Sequence, residues 1–150
     1  MATRGTIAVQ LADGKVMQIY SHWDNYLEHN GRLLQEHYNS QELAEELVSL
    51  GDLSSLRERI HPTAPLGIGH SFDKPEPGVT IYYGRDRGEK GVAPTTYDNY
   101  EMYRLSGQRE EYNYLFADGA WHVSVYEHRK IWTPLAQALE SIDAEEEAAD

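Results

Sequence analysis

Two Asp-Gly pairs constrain this chain more than any other feature of its sequence. Asp13-Gly14 separates the β-rich run Thr6 to Leu11 from Val16 to Tyr20, and Asp118-Gly119 separates Tyr112 to Phe116 from Trp121 to Tyr126. An Asp-Gly pair enters left-handed backbone conformations at low cost, and the tight turn it makes folds the flanking alternating runs into a hairpin. Val79 to Tyr83 reads as a further, isolated strand.

Helical spacing occupies much of the rest. Leu27, Leu34 and Tyr38 share a face, with Leu33 alongside, although Gly31 inside that run costs about 1 kcal/mol relative to alanine. Asn39-Ser40 can cap a second helix carrying Leu43, Leu47 and Leu50, which Gly51 ends. Asp52 to Ile60 reads as a short third helix before Pro62, and Tyr97 to Leu105 as a fourth. A last helix from about Lys130 aligns Ile131, Leu135, Leu139 and Ile142, with Pro134 in its first turn. His61 to Gly78, rich in proline and glycine, reads as a long surface loop. The expected fold is α+β: a mostly antiparallel sheet of about five strands, two hairpins plus one strand, with helices packed on one face.

The chain has 150 residues, enough for one domain with a proper core, here expected over residues 1–142. Residues 143–150 read as an acidic C-terminal tail. The net charge is −12, and half of it lies between Glu140 and Asp150, where Glu140, Asp143, Glu145, Glu146, Glu147 and Asp150 face no basic residue. Arg57/Arg59 and Arg85/Arg87 offer too little clustered positive charge, so direct binding to a nucleic-acid backbone is not expected. The absence of cysteine removes disulfides, thiolate metal sites and a cysteine nucleophile. With no apolar run of membrane-spanning length, the expectation is a cytoplasmic protein without a membrane partner.

Catalytic templates are missing: there is no Gly-x-Ser-x-Gly, Walker loop, His-Glu-x-x-His or Rossmann glycine pattern. No cofactor, metal or catalytic residue is therefore assigned. His22, Asp24, His29 and His37 are chemically able to bind zinc or iron, but His29 and His37 lie two helical turns apart, which favours ordinary histidines. At the exit from the first hairpin, Asp24 or Asn25 is placed to cap a helix and Trp23 to anchor the core; alternatively His22, Asp24 and Tyr26 face a pocket. In Tyr82-Tyr83-Gly84-Arg85-Asp86-Arg87-Gly88-Glu89, arginine forks suit phosphate or carboxylate and the tyrosines suit a base. The competing reading is a surface hairpin whose charges pair with one another. Eleven tyrosines against two phenylalanines also fit either a binding surface or a half-solvated sheet.

Several blocks carry a resemblance. Thr3-Arg4-Gly5-Thr6-Ile7, Asp13-Gly14, Ile19-Tyr20-Ser21-His22-Trp23-Asp24 and Leu33-Leu34 with His37-Tyr38 are followed by Leu50-Gly51-Asp52-Leu53-Ser54-Ser55-Leu56. The pattern continues through Gly84-Arg85-Asp86-Arg87-Gly88-Glu89 and Glu111-Tyr112-Asn113-Tyr114-Leu115-Phe116 to Trp121. Together they resemble a group of small proteins from phages, prophages and mobile elements. That group often carries glycine after the Trp-Asp pair, where this chain has Asn25. The resemblance implies a phage accessory protein acting in the host cytoplasm.

Context and charge together predict a binding protein that inhibits or redirects a host protein, such as a nucleic-acid-binding defence component, in the manner of a DNA mimic. The first alternative is a sponge for a small nucleotide, using Arg85 and Arg87 for phosphates and Tyr82, Tyr83 or Trp23 for the base. The second is a small hydrolase using His22 and Asp24. The candidate binding set is thus His22, Trp23, Asp24, Tyr26, Tyr82, Tyr83, Arg85, Asp86, Arg87 and Glu89.

Overall fold

The computed structural model describes residues 3–63, 68–107, 110–125 and 131–149. Residues 64–67 of the long loop, Tyr126, Lys130 and Asp150 lie outside that set. Both hairpins form. Strands β1 (Gly5–Gln10) and β2 (Val16–Ser21) pair antiparallel, as do β6 (Tyr112–Ala117) and β7 (Ala120–Val125). Asp118 and Gly119 join β6 to β7 with φ of 54° and 79°, the two positive values that a two-residue turn of matching twist requires.

The sheet is larger and less uniform than expected. It has eight strands and is mixed, ordered β4-β3-β2-β1-β6-β7-β8, with β5 paired to β2. This corrects the expectation of about five antiparallel strands. Four of the strands are two or three residues long: β3 (Leu53–Ser55), β4 (Ile81–Tyr82), β5 (Thr95–Tyr97) and β8 (Thr133–Pro134). Strands this short carry no period-2 signal, and β3 and β8 lie within runs whose spacing predicted helix. Pairing with a neighbouring strand, not local propensity, fixes them. The second surprise is that the hairpins join in parallel, Gly5 opposite Tyr112 through Val9 opposite Phe116, so β1 is central and almost wholly buried.

One face of the sheet carries the main core. Ile7, Val9, Ile19, Tyr114, Phe116 and Trp121 pack there against Leu34, Leu47 and Leu135. Those leucines come from α1 (Arg32–His37), α2 (Gln41–Ser49) and α5 (Leu135–Ala149). A π-helical turn, Leu27–Gly31, leads into α1. Ser40 caps α2 by accepting the Leu43 N–H at 3.1 Å, and Gly51, at φ 92°, turns the chain out of it. The other face is covered as well, contrary to expectation. There α4 (Tyr100–Ser106) seats the fully buried Tyr103 against Ala8, Val16 and Leu115. Asn99 caps α4 through the Met102 N–H.

At its outer edge β2 changes partner, pairing antiparallel with β5 at Val16–Gln18 and parallel with β3 at Ser21. Tyr20 lies between the two ladders, and its N–H is taken by the Asp52 carboxylate at 2.8 Å. The Asp52 N–H itself donates to Val92 O at 2.8 Å. A carboxylate thus replaces the missing strand. Asp52→Ala strands that part-buried N–H and is expected to cost about 1–3 kcal/mol. Asp52→Asn, which keeps an acceptor oxygen, should lose much less, as read by urea unfolding.

Candidate functional site

Tyr82 enters the core from β4, and its side-chain hydroxyl donates to Leu47 O at 2.7 Å, one of the carbonyls left unpaired at the end of α2. After Tyr82 the chain does not turn back as a hairpin. Tyr83–Arg87 forms a short helix, α3, ended by Gly88 at φ 71°. One helical turn places Asp86 beneath its own start, where it accepts the Tyr82 N–H at 2.8 Å.

Arg85 is spent internally. It donates through Nε to Asp86 at 2.8 Å and through its terminal nitrogens to Ile60 O at 2.6 Å and Thr80 O at 2.9 Å. Its guanidinium also lies 4.9 Å from the Tyr82 ring centroid. The remaining Asp86 partner is His70, whose side chain is 0% exposed against 1% for Asp86, at 3.1 Å. His70 Nδ1 accepts the Glu76 N–H at 3.1 Å, so Nε2 carries the proton and donates to Asp86. Burial would lift the Asp86 carboxyl, but hydrogen bonds from Arg85, the Tyr82 N–H and His70 outweigh it and hold the group below its ordinary value.

This cluster fastens the long loop. His70 ties it to α3, Glu76 pairs with Arg59 and accepts from Thr63, and Thr80 N–H donates to Arg59 O at 2.9 Å. His70 is the residue that sequence reasoning missed. It stands in a Pro/Gly-rich stretch with no periodicity, where no local signal marks it.

Arg87 and Glu89 point outward and pair at 3.1 Å. Arg87 lies 4.5 Å from the Phe72 ring and 4.9 Å from Tyr83, a small cation–π cluster at the surface. A second outward group stands at the exit from β2. His22 Nδ1 meets the Tyr20 hydroxyl at 2.7 Å and its ring meets Trp23 edge-on at 4.6 Å; Trp23 is 42% exposed and does not anchor the core. Burial raises the Tyr20 hydroxyl above its ordinary value; Arg4 opposes this, while Glu110, Tyr83 and Asp52 add to it. Asp52 connects the His22 corner to α3, since its carboxylate accepts the Tyr20 N–H and its carbonyl accepts the Tyr83 N–H at 3.2 Å.

Neither Asp24 nor Asn25 caps a helix. Asp24 takes a left-handed conformation, φ 59°, which aspartate tolerates better than most residues. Tyr26, half-buried, occupies the capping position without a side-chain bond, its ring 6.1 Å from His29. Asn25 is fully buried. Its Nδ2 donates to Thr3 O at 2.8 Å and Ser21 O at 2.9 Å, its Oδ1 accepts from Asn30 at 2.9 Å, and its own carbonyl accepts the Tyr114 hydroxyl at 2.7 Å. His22 bonds Tyr20 and not Asp24, so the pair expected for hydrolysis does not form. Among the described residues no three His, Cys, Asp or Glu side chains are placed to hold a metal ion, and no helix is long and apolar enough to cross a membrane.

The acidic segment is helical. α5 runs through it to Ala149; Leu135 and Leu139 are buried, and Asp143 to Glu147 are exposed. Arg32 donates to Asp143 at 2.7 Å, and that bond, with Glu146 and Glu36 nearby, raises the guanidinium further above its ordinary value. Glu145, Glu146 and Glu147 stand at the negative end of the helix dipole with no basic residue in the last turn.

The chain matches no family model, no curated protein and no solved structure.

The contrast between Arg85 and Arg87 is measurable. Arg85→Lys keeps the charge but loses the planar fork, and should cost roughly 2–3 kcal/mol, whereas Arg87→Ala should cost under about 1 kcal/mol. Because the folded Asp86 carboxyl is held low, its contribution is complete above the unfolded value of about 4 and disappears as pH falls through the folded one. Acid unfolding of Asp86→Asn should lack that component.

Proposed function

We propose that the protein is a non-catalytic binding protein that docks on a basic surface of another protein through the exposed carboxylates of α5. The observation that carries this reading is the placement of negative charge. From Asp143 to Glu147 every side chain is exposed, and the acidic residues crowd the end where the dipole already favours cations. Each carboxylate there costs a few tenths of a kcal/mol, up to about 1, in the isolated molecule. A cationic partner turns that cost into attraction.

The resemblance to phage and mobile-element proteins supplies the class of partner: a host protein of the cytoplasm whose basic groove normally meets nucleic acid. Acidic side chains along one helix offer such a groove a charge row similar to a phosphate backbone, and long-range attraction would speed the encounter. The nucleotide reading is not carried forward at the 85–89 run. Its Arg85 donors already serve Asp86, Ile60 and Thr80, and its Tyr82 is buried.

Capture from bacterial lysate tests the proposal with two baits, the full chain and one whose Glu145, Glu146 and Glu147 are all changed to Gln. The full chain should retain a basic, nucleic-acid-binding protein that about 0.5 M salt releases, because screening shortens the reach of exposed charge to a few ångströms. The glutamine bait should lose at least tenfold of it. Equal retention by both baits, or no enrichment by either, would overturn the proposal.

A further inference from the structure

On the sheet face that α4 covers only in part, a cleft of about 380 Å³ opens beside the β6–β7 turn. That volume suits a small ligand, since such sites span roughly 300–1,000 Å³. Leu115 and Ala117 of β6 provide apolar lining, and the aromatic side chains of Tyr100 and Trp132 line it as well. Asp118, His122 and Gln10 supply the polar groups. A second hollow of about 470 Å³ shares Gln10 and Asp118 and adds Glu45 from α2.

The charge of this pair of hollows is one-sided. Asp118 and Glu45 are carboxylates, and among the described residues no lysine or arginine lines either space. The side chains of Asp118 and His122 make no hydrogen bond or ion pair with another described residue, while the His122 backbone pairs in the sheet. The described lining offers a phosphate or carboxylate ligand two carboxylates and no lysine or arginine. An ammonium group is attracted both by a carboxylate and by the electron-rich faces of Trp and Tyr rings, and an alkyl chain suits Leu115 and Ala117. Two carboxylates in adjoining hollows match a ligand cationic at both ends.

We propose that the cleft lined by Tyr100, Trp132, His122 and Asp118 binds a small aliphatic diamine. One ammonium meets Asp118 between the aromatic side chains, the alkyl chain covers Leu115 and Ala117, and the second ammonium reaches toward Glu45. The aromatic lining is suited to adjust. Trp132 stacks on Tyr103 at 6.3 Å and 25°, and the Trp132 indole N–H and the Tyr103 hydroxyl are both buried without a hydrogen-bond partner among the described residues. An unbonded indole N–H beside the cleft is also a sensitive reporter of occupancy.

The test is a titration of the ¹⁵N-labelled full chain with 1,4-diaminobutane, following the side-chain N–H resonances of its three tryptophans, with Trp132 assigned through Trp132→Phe. The diamine should shift Trp132 saturably at millimolar or lower concentration and leave the core Trp121 in place. Asp118→Asn should weaken binding at least tenfold. Asparagine accepts the left-handed backbone that Asp118 adopts, so this change removes the charge and keeps the turn. The neutral isostere 1,4-butanediol should not bind.

Three results would each overturn the proposal: no movement of Trp132, equal affinity in Asp118→Asn, or equal binding of the diol. Diamine collecting only on the α5 carboxylates would leave Trp132 unmoved and so counts against it. Saturable binding of adenosine monophosphate at the same resonance, with none of the diamine, would also overturn it, since it reverses the charge preference.

Discussion

Tyrosine hydroxyls that reach backbone carbonyls across the core hold the layers of this molecule together. Tyr114 rises from β6 to Asn25 O, Tyr82 from β4 to Leu47 O, and Tyr38 from the end of α1 to Arg57 O, each at 2.7 Å. Trp121 returns the same favour from β7, donating to Tyr38 O at 3.1 Å. Each bond fills a carbonyl that a turn or helix end would leave unpaired, while the ring supplies apolar area to the core. Burial pushes the Tyr38 hydroxyl up to about 12 and those of Tyr82 and Tyr114 well above their ordinary value, so all three remain donors at any physiological pH. Phenylalanine in these places would pack as well but leave the Asn25 and Leu47 carbonyls bare and the Arg57 carbonyl with only the Thr80 hydroxyl at 3.4 Å. The excess of tyrosine over phenylalanine therefore has, at these positions, a structural cause.

The same economy governs the charged residues. Arg85, Asp86 and His70 have the chemistry of a site, and they are consumed in closing the long loop onto α3. Asn25 and Asn30 hold the corner that carries Trp23 outward. Asp52 stands in for a strand at the junction of β3 and β5. Among the groups described above, Trp23 with His22, the Arg87–Phe72–Tyr83 cluster and the carboxylates of α5 remain outward. Of these, only the α5 carboxylates carry a local electrostatic cost that a partner would relieve.

The elements with their own local signal were legible in the sequence. Asp13-Gly14 and Asp118-Gly119 announce the hairpins, Ser40 and Gly51 bound α2, and Leu135 and Leu139 mark the buried stripe of α5. The parallel join of β1 to β6 was not legible, because nothing local links residues so far apart. Nor were β3, β5 and β8, whose few residues become strands only because a partner edge is present. At the candidate site, the Tyr82 to Glu89 run stands out in the sequence as chemically dense. The direction its side chains take depends on α3, and five residues containing a glycine give no helical period to read. His70 escaped notice for the same reason: its partners come from distant segments of the chain.

The central claim is that this protein meets its partner with the outer half of α5, and that its buried polar cluster serves the fold. Amide chemical-shift mapping of the labelled full chain against the captured partner tests this most directly. The account predicts perturbations concentrated on Asp143 to Glu147 and on Arg32 and Glu36 beside them, with Arg85, Asp86 and His70 unmoved. Perturbations centred on His70 and α3, with α5 silent, would contradict it.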